Sequence, residues 1–297
     1  MRSLFPGRTD LEIGELVADY FNSISDEFLP LRAFQGPQHA PYNPLTVPEV
    51  EKRIKDAKKS KSSVKGDILP ELVNDLAPIL AVPLCQIYNN VLNSSHWPHR
   101  WKLETVTIIP KKPCPTGLTD CRNLSCTALF SKILETYVLG ELRKKTGLEE
   151  CQYGGSPGCG VDQFLIDSWQ NILDTLEDTR ASVNIVSLDF EKAFNRVDHA
   201  ECLRALSDHG ASDRMVGVIR SFLTGRKMSV KIGSTLSVPR DVNGGSPQGS
   251  ILGTYLFNIT TDRLTSGIEY GDDGVDMNMR LERGHESPEI DLSLIHI

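Results

Sequence analysis

Along residues 1–29 the apolar positions Leu11, Leu16, Val17, Tyr20, Phe21, Ile24 and Phe28 recur at helical spacing with acidic residues between them. That pattern predicts an amphipathic helix docked on another part of the fold. From Pro30 to Pro48 the period is lost and Pro, Gln and His dominate, as in a linker or strap, which places a boundary near residue 48. Residues 68–92 predict a buried helix pair broken by Pro78 and Pro83, and Glu104–Ile109 alternates like a strand. Helical periods return at 128–145 and 161–178. Val183–Leu188 is a short β-branched run ending at Asp189, followed by helical patterns at 197–208 and 212–223. Lys227–Val238 predicts a hairpin turning at Gly233, and a glycine-rich turn leads into an apolar helix at 249–264. Strand, two helices, hairpin and helix in that order fit an α+β domain with helices on one face of a small antiparallel sheet. They do not fit the regular alternation of a doubly wound fold.

Composition narrows the class without naming a function. The 297 residues suffice for one large domain or two modest ones, and 39% hydrophobic with 24% charged residues describe a globular chain. The seven cysteines form no CxxC pair, so neither a disulfide framework nor a zinc knuckle is signalled. No stretch has the length and apolarity of a signal peptide or membrane span, which gives the expectation of an intracellular protein, nuclear or cytoplasmic, without a membrane partner. A net charge of −7 opposes nucleic-acid binding on average, yet EKRIKDAKKSKSSVKGD reverses that balance locally. Lys52, Arg53, Lys58, Lys59 and Lys61 are therefore candidate phosphate-backbone contacts, against the alternative of a solvated helix face.

The stretch NIVSLDFEKAFNRVDH places Asp189 at the end of an apolar strand, a rigid support for a carboxylate that binds a hard cation. DFEKAFNRVDH resembles the first catalytic motif of reverse transcriptases, in the form typical of non-LTR, LINE-like retrotransposons. Three neighbours resemble further motifs of that family in the same order. WKLETVTIIPKK with DCRNLSCTALFSKILE is similar to the fingers motif, QYGGSPGCGVDQFL to the following template-side loop, and GGSPQGSILGTYLFNITTDRL to a palm turn leading into a helix. VKGDILPELV is similar to the amino-terminal extension of these polymerases.

The resemblance implies right-hand polymerase fingers with a partial palm, and RNA-directed DNA synthesis by two Mg2+ ions roughly 3.5–4 Å apart. The implied partners are an RNA template, a DNA primer and deoxynucleoside triphosphates. Asp189 matches the metal carboxylate, and the Phe190 backbone carbonyl would add an oxygen. Phe194 falls where the family holds a bulky side chain under the sugar, rejecting a 2′-hydroxyl. Lys111, Lys112 and Arg122 fall where basic side chains hold the incoming triphosphate, and Gln248 and Gly249 match the turn flanking the nascent base pair. Asn123 and Asn195 depart from the family pattern, which commonly has Pro and Asp there.

A second carboxylate pair is also expected of this family. Asp272 and Asp273, in Tyr270-Gly271-Asp272-Asp273, are the candidates, but acidic flanks and closeness to the palm helix make the stretch read as a decoy. Residues 1–48 are accordingly taken as extension and linker, 49–264 as fingers and partial palm, and 265–297 as an acidic tail expected to be disordered. The terminal Leu292–Ile297 resembles translated sequencing adapter, so the frame is expected to leave native sequence after Asp291. The chain is then expected to be an incomplete and inactive piece of its parent. Two alternatives stand beside this reading: a non-catalytic RNA-binding relic, and an RNA-dependent RNA polymerase, which Phe194 argues against.

Overall fold

In chain order the elements are α1 (Asp10–Ser25), α2 (Val47–Asp56), α3 (Pro70–Asp75), α4 (Ala77–Ser94), β1 (Leu103–Pro110), β2 (Cys121–Cys126), α5 (Leu129–Lys145), α6 (Val161–Leu176), α7 (His199–Asp208), α8 (Asp213–Leu223), β3 (Arg226–Ile232), β4 (Thr235–Leu236), β5 (Arg240–Val242) and α9 (Ile251–Thr261). The structure, a computed structural model, describes residues 2–32, 42, 44–57, 70–148, 152–156, 158–177, 183, 190, 192–247 and 249–262. Of the strand expected at 183–188 only residue 183 is described, and the acidic tail lies outside these residues.

Two compact units emerge, one of residues 1–147 with 193–257, the other of 148–192 with 258–297. In the first, β3 is the central strand of a five-stranded sheet. On one side it pairs parallel with β1, Leu103 opposite Lys227 and Val106 opposite Val230, and β1 in turn pairs antiparallel with β2. On the other side β3 pairs antiparallel with β4 and β5. The sheet is thus mixed, not antiparallel as expected. The parallel pair arises because β1 and β3 are separated in sequence by a long helical crossover, which returns the chain in the same direction, whereas a tight hairpin reverses it.

The amino-terminal segment forms α1 and docks on this sheet, but the buried face is not quite the expected one: Leu11 and Leu16 are exposed and Phe28 lies beyond the helix, while Ile13 and Ala18 turn inward. The helix start is fixed by a reciprocal cap: the Thr9 amide donates to Glu12 Oε2 at 2.8 Å and the Glu12 amide to Thr9 Oγ1 at 3.3 Å. Ile13, Val17, Ala18, Phe21 and Ile24 then line one helical face and bury against Val106, Ile108, Cys121, Met228, Val230 and Ile232. Full burial of each large apolar side chain contributes about 1.5–3 kcal/mol. Arg240 bonds Asp19 at 2.9 Å and Glu15 at 2.7 Å, and the Val238 amide donates to Glu15, pinning the helix to the strand edge.

The helix pair before β1 breaks at Leu76 alone. Pro78 sits in the first turn of α4, where its missing N–H leaves no bond unmade, and Pro83 lies inside the helix without ending it. β2 and β5 were not foreseen in the periodicity. β2 alternates Cys121, Asn123 and Ser125 inward with Arg122 and Leu124 exposed, a pattern carried by polar residues.

The second unit contains α6 and the Asn258–Thr261 end of α9. Tyr153 hydrogen-bonds Asp167 at 2.8 Å and stacks edge-on against Phe164, and Asn258 Nδ2 donates to the Gly154 carbonyl. Ile166, Trp169 and Leu173 of α6 are exposed among the described residues. No helix among the described residues is long and apolar enough to cross a membrane.

Candidate functional site

The site is built where three segments of the first unit converge: the Ala193–Arg196 turn, the Asn243–Ser250 loop and the end of β2. The Ser246 amide donates to the Phe194 carbonyl at 2.6 Å, and the Gly245 amide to the Val197 carbonyl at 2.8 Å. The half-buried Phe194 ring lies on Phe257 of α9, with centroids 4.6 Å apart and a 30° tilt. Asp198 then caps α7 through the Ala200 amide at 2.7 Å.

His199, on the first turn of α7, is buried and its Nε2 donates to the Gly245 carbonyl at 2.8 Å. Burial pushes its pKa below the ordinary 6.5, opposed in smaller part by that bond. The glycines of the loop let it thread between walls. A Cβ on Gly244 would strike the Phe28 ring, and one on Gly249 would lie 2.2 Å from the Ser125 carbonyl oxygen. Gly249 also sits at φ +93°, where only glycine is unstrained.

Beside the loop lies a half-open cleft of about 40 Å³, lined by residues that include Glu104, Asn123, Ser125, Asn195, Gly245 and Ser246. At about 10–15 Å³ per water molecule it is a small space, walled as much by Phe21, Met228, Val242 and Pro247 as by polar groups. Asn123 and Asn195, the two departures from the family pattern, both line it. Glu104 faces inward to Arg226, whose Nε donates at 2.8 Å and whose Nη2 also reaches the same oxygen. The guanidinium lies over the Phe222 ring at 4.7 Å.

The predicted site residues divide sharply by placement. Phe194 is joined through its carbonyl to Ser246, and Gly249, three residues further on, lies against the Ser125 carbonyl. Asp189, Gln248, Asp272, Asp273, Lys58, Lys59 and Lys61 lie outside the described residues. Phe190 is described and exposed, within the second unit. Among the described residues no group of three or more His, Cys, Asp or Glu could hold a metal ion.

The three fingers cations differ. Lys111 Nζ donates to the Thr119 carbonyl at 3.0 Å, and Lys112 pairs with Asp120 at 2.9 Å. Asp120, which also accepts from Thr116, is held well below the usual carboxylate range, first by Lys112. Arg122 is exposed on β2 and makes no ion pair among the described residues. On α2, Lys52 points to solvent, whereas Arg53 turns inward. It donates to Thr136 at 3.1 Å and lies over the Tyr137 ring, so its guanidinium is committed within the fold.

Sequence reasoning missed Glu135, His199 and the Glu104–Arg226 pair. For Glu135 the signal was present: an acid at i+4 from Ser131 within the apolar stripe Ile133, Leu134, Val138 and Leu142 of α5. A charge in such a stripe is a paired group far more often than an accident.

Comparison with known proteins bears on the same segments. The family described as reverse transcriptase (RNA-dependent DNA polymerase) matches residues 109–273, more than half of the chain. A probable RNA-directed DNA polymerase from transposon BS of Drosophila melanogaster is 26% identical over 229 residues, covering 75% of this chain and 25% of the relative. The RNA-directed DNA polymerase from mobile element jockey of the same species is 27% identical, over 74% of this chain and 24% of its own length. A Pol polyprotein from the type-1 retrotransposable element R2 of Popillia japonica is 24% identical, over 77% and 31%. The chain therefore spans about a quarter to a third of these relatives. Matched over more than half of its length, the chain belongs to the reverse transcriptase family.

Proposed function

We propose that this chain is the fingers and part of the palm of an RNA-directed DNA polymerase of a non-LTR retrotransposon. The observation that carries the reading is the junction of Phe194 with the Ser246–Gly249 turn, because a nucleotide-selecting side chain and a base-pair-flanking turn must be neighbours to act on one substrate. In the reaction the primer 3′-hydroxyl oxygen bonds to the α-phosphorus of a deoxynucleoside triphosphate. The bond from that phosphorus to the bridging oxygen breaks, and pyrophosphate leaves with the electron pair.

The family uses divalent metal ions. The Asp189 carboxylate and the Phe190 carbonyl are both hard oxygen donors, which suits Mg2+. Two such ions, when bound, would supply charge stabilisation to the attacking and leaving oxygens. The chain's own residues do the positioning. Arg122, exposed and unpaired among the described residues, is the fingers cation best placed to meet triphosphate oxygens, with Lys111 and Lys112 shaping the hairpin that carries it. Phe194 blocks the 2′-position of the sugar, and Gln248 and Gly249 flank the new pair. The RNA template and DNA primer are the macromolecular partners, and Lys52, Lys58, Lys59 and Lys61 supply backbone contacts.

The test is primer extension on an RNA template with Mg2+ in the full-length parent protein. Synthesis is expected there and is expected to vanish in Asp189→Ala while template binding persists. Undiminished extension by Asp189→Ala would remove that residue from the metal site, and a parent that never extends would overturn the polymerase reading.

A further inference from the structure

The carboxylate of Glu135, fully buried in α5, makes four hydrogen bonds, three of them to the start of α9. Its Oε2 accepts from Ser250 Oγ at 2.8 Å, from the Ile251 amide at 2.7 Å and from the Leu252 amide at 3.4 Å. Its Oε1 accepts from Ser131 Oγ at 2.8 Å, and Ser131 in turn accepts from Trp97 Nε1 at 3.3 Å. Ser250 Oγ itself accepts from the Gly253 amide at 3.1 Å.

The first turn of a helix leaves its amides without partners inside the helix. Here Ser250 satisfies that of Gly253 in the ordinary way, and the two before it, of Ile251 and Leu252, are taken by an acid 116 and 117 residues away in sequence. A local side chain would have capped the helix as well. A carboxylate from α5 does something further, because it fixes where α9 begins relative to the fingers. Burying a carboxylate is costly unless it is fully bonded, so this arrangement is stable only while α9 starts at that place.

On the other side, Gly249 is wedged against the Ser125 carbonyl, and Gly245 and Ser246 are bonded to Val197 and Phe194.

We propose that Glu135 is a positioning residue for nucleotide addition: by gripping Ser250, Ile251 and Leu252 it sets the place of the adjoining Gly249 against the nascent base pair. The proposal rests on the polymerase reading for its catalytic consequence and on the hydrogen bonds alone for its structural one.

Two measurements test it separately. In the 297-residue chain, amide hydrogen exchange at Ile251 and Leu252 should quicken at least about tenfold in Glu135→Gln relative to amides elsewhere in α9, since a bond to a charged acceptor is replaced by a weaker one. In the full-length polymerase, Glu135→Gln should raise the KM for deoxynucleotides with template–primer affinity unchanged. Ile133→Val, which trims the same helix without touching the carboxylate, should leave that KM unmoved. Because Glu135→Ala leaves donors unpaired and risks misfolding, the isosteric variant carries the test. Unchanged Ile251 and Leu252 exchange, or a KM that moves equally in Ile133→Val, would reduce Glu135 to a packing residue. Quickened exchange beside a wild-type parent that cannot extend a primer would instead overturn the polymerase reading, and the catalytic part of the proposal with it.

Discussion

The Ser246 amide donates to the Phe194 carbonyl at 2.6 Å, which with the Gly245–Val197 bond ties the chain that follows Asp189 to the glycine-rich turn through the backbone. A backbone bond is indifferent to side-chain identity. It keeps the two segments in register whatever occupies the cleft, and it leaves the Phe194 ring free to lie on Phe257. Substitutions at this junction should therefore separate into those that move the backbone and those that only reshape the surface it presents.

Gly249 belongs to the first kind. Gly225 also has a positive φ, +65°, but nothing lies within 4 Å of a Cβ placed there, whereas at Gly249 the Cβ meets a carbonyl oxygen. Gly225→Ala should cost about 1 kcal/mol, for backbone strain alone. Gly249→Ala should cost about 3 kcal/mol or more, since strain and overlap add. Urea midpoints of the two variants decide the matter. Equal losses would mean that β2 yields easily and the turn is not wedged.

Phe194 belongs to the second kind. Phe194→Val keeps the carbonyl that holds Ser246 and removes the ring. In the full-length polymerase, ribonucleotide use relative to deoxyribonucleotide use should rise about 10- to 100-fold, the discrimination a single steric group provides. The lost ring pairing with Phe257 should cost about 0.5–1.5 kcal/mol beyond the lost burial. Competition assays with both nucleotide types measure the ratio. A ratio that stays fixed would assign Phe194 to packing on α9 and nothing more.

His199 gives the turn a pH dependence. Its folded pKa lies below 6.5 because the ring is buried, so on acidification the unfolded chain takes up the proton first. Stability is therefore expected to be whole above about pH 6.5 and to fall as pH drops from there through the lower folded value. His199→Gln keeps an amide donor for the Gly245 carbonyl but cannot titrate. Its stability should change less between pH 7 and pH 5 than that of the unaltered chain. Parallel slopes in denaturant titrations would show that other groups set the acid sensitivity.

Much of this site was legible because its residues announce themselves by backbone need or apolar period. The helical period from Leu11 to Phe28 reads as a docking helix, with Val17, Phe21 and Ile24 on the buried face, and Ser-Pro-Gln-Gly reads as a turn. β2 was not legible, since its inward positions Cys121, Asn123 and Ser125 are polar or small and give no alternation of hydrophobicity. The parallel pairing of β1 with β3 was hidden for a different reason. Strand direction is set by the length and path of the crossover, not by any residue in either strand. The apolar stripe of α5 marks Glu135 as a paired group but does not name its partners, and His199 acts through a carbonyl 46 positions away of which local pattern says nothing.

The Glu104–Arg226 pair is the strongest test of how the sheet tolerates buried charge. Arg226 is 1% exposed and Glu104 7%, and the pair bridges the parallel strands beside the cleft. Nearby, Lys102 donates to the Thr224 carbonyl at 3.0 Å, with its pKa lowered to about 8 by burial first and by Arg226 second. A second cation is thus already disfavoured at this spot, and an unpaired Arg226 would be more so. Glu104→Ala should cost about 3–5 kcal/mol, because it strands a guanidinium in the core. The double change Glu104→Leu with Arg226→Met should cost much less than Glu104→Ala alone, as apolar side chains remove both charges together. Urea denaturation of the two variants provides the comparison. A double variant as unstable as the single one would mean that the bonds from Arg226 to the Phe222 carbonyl and its ring contact, not the ion pair, hold β1 beside β3.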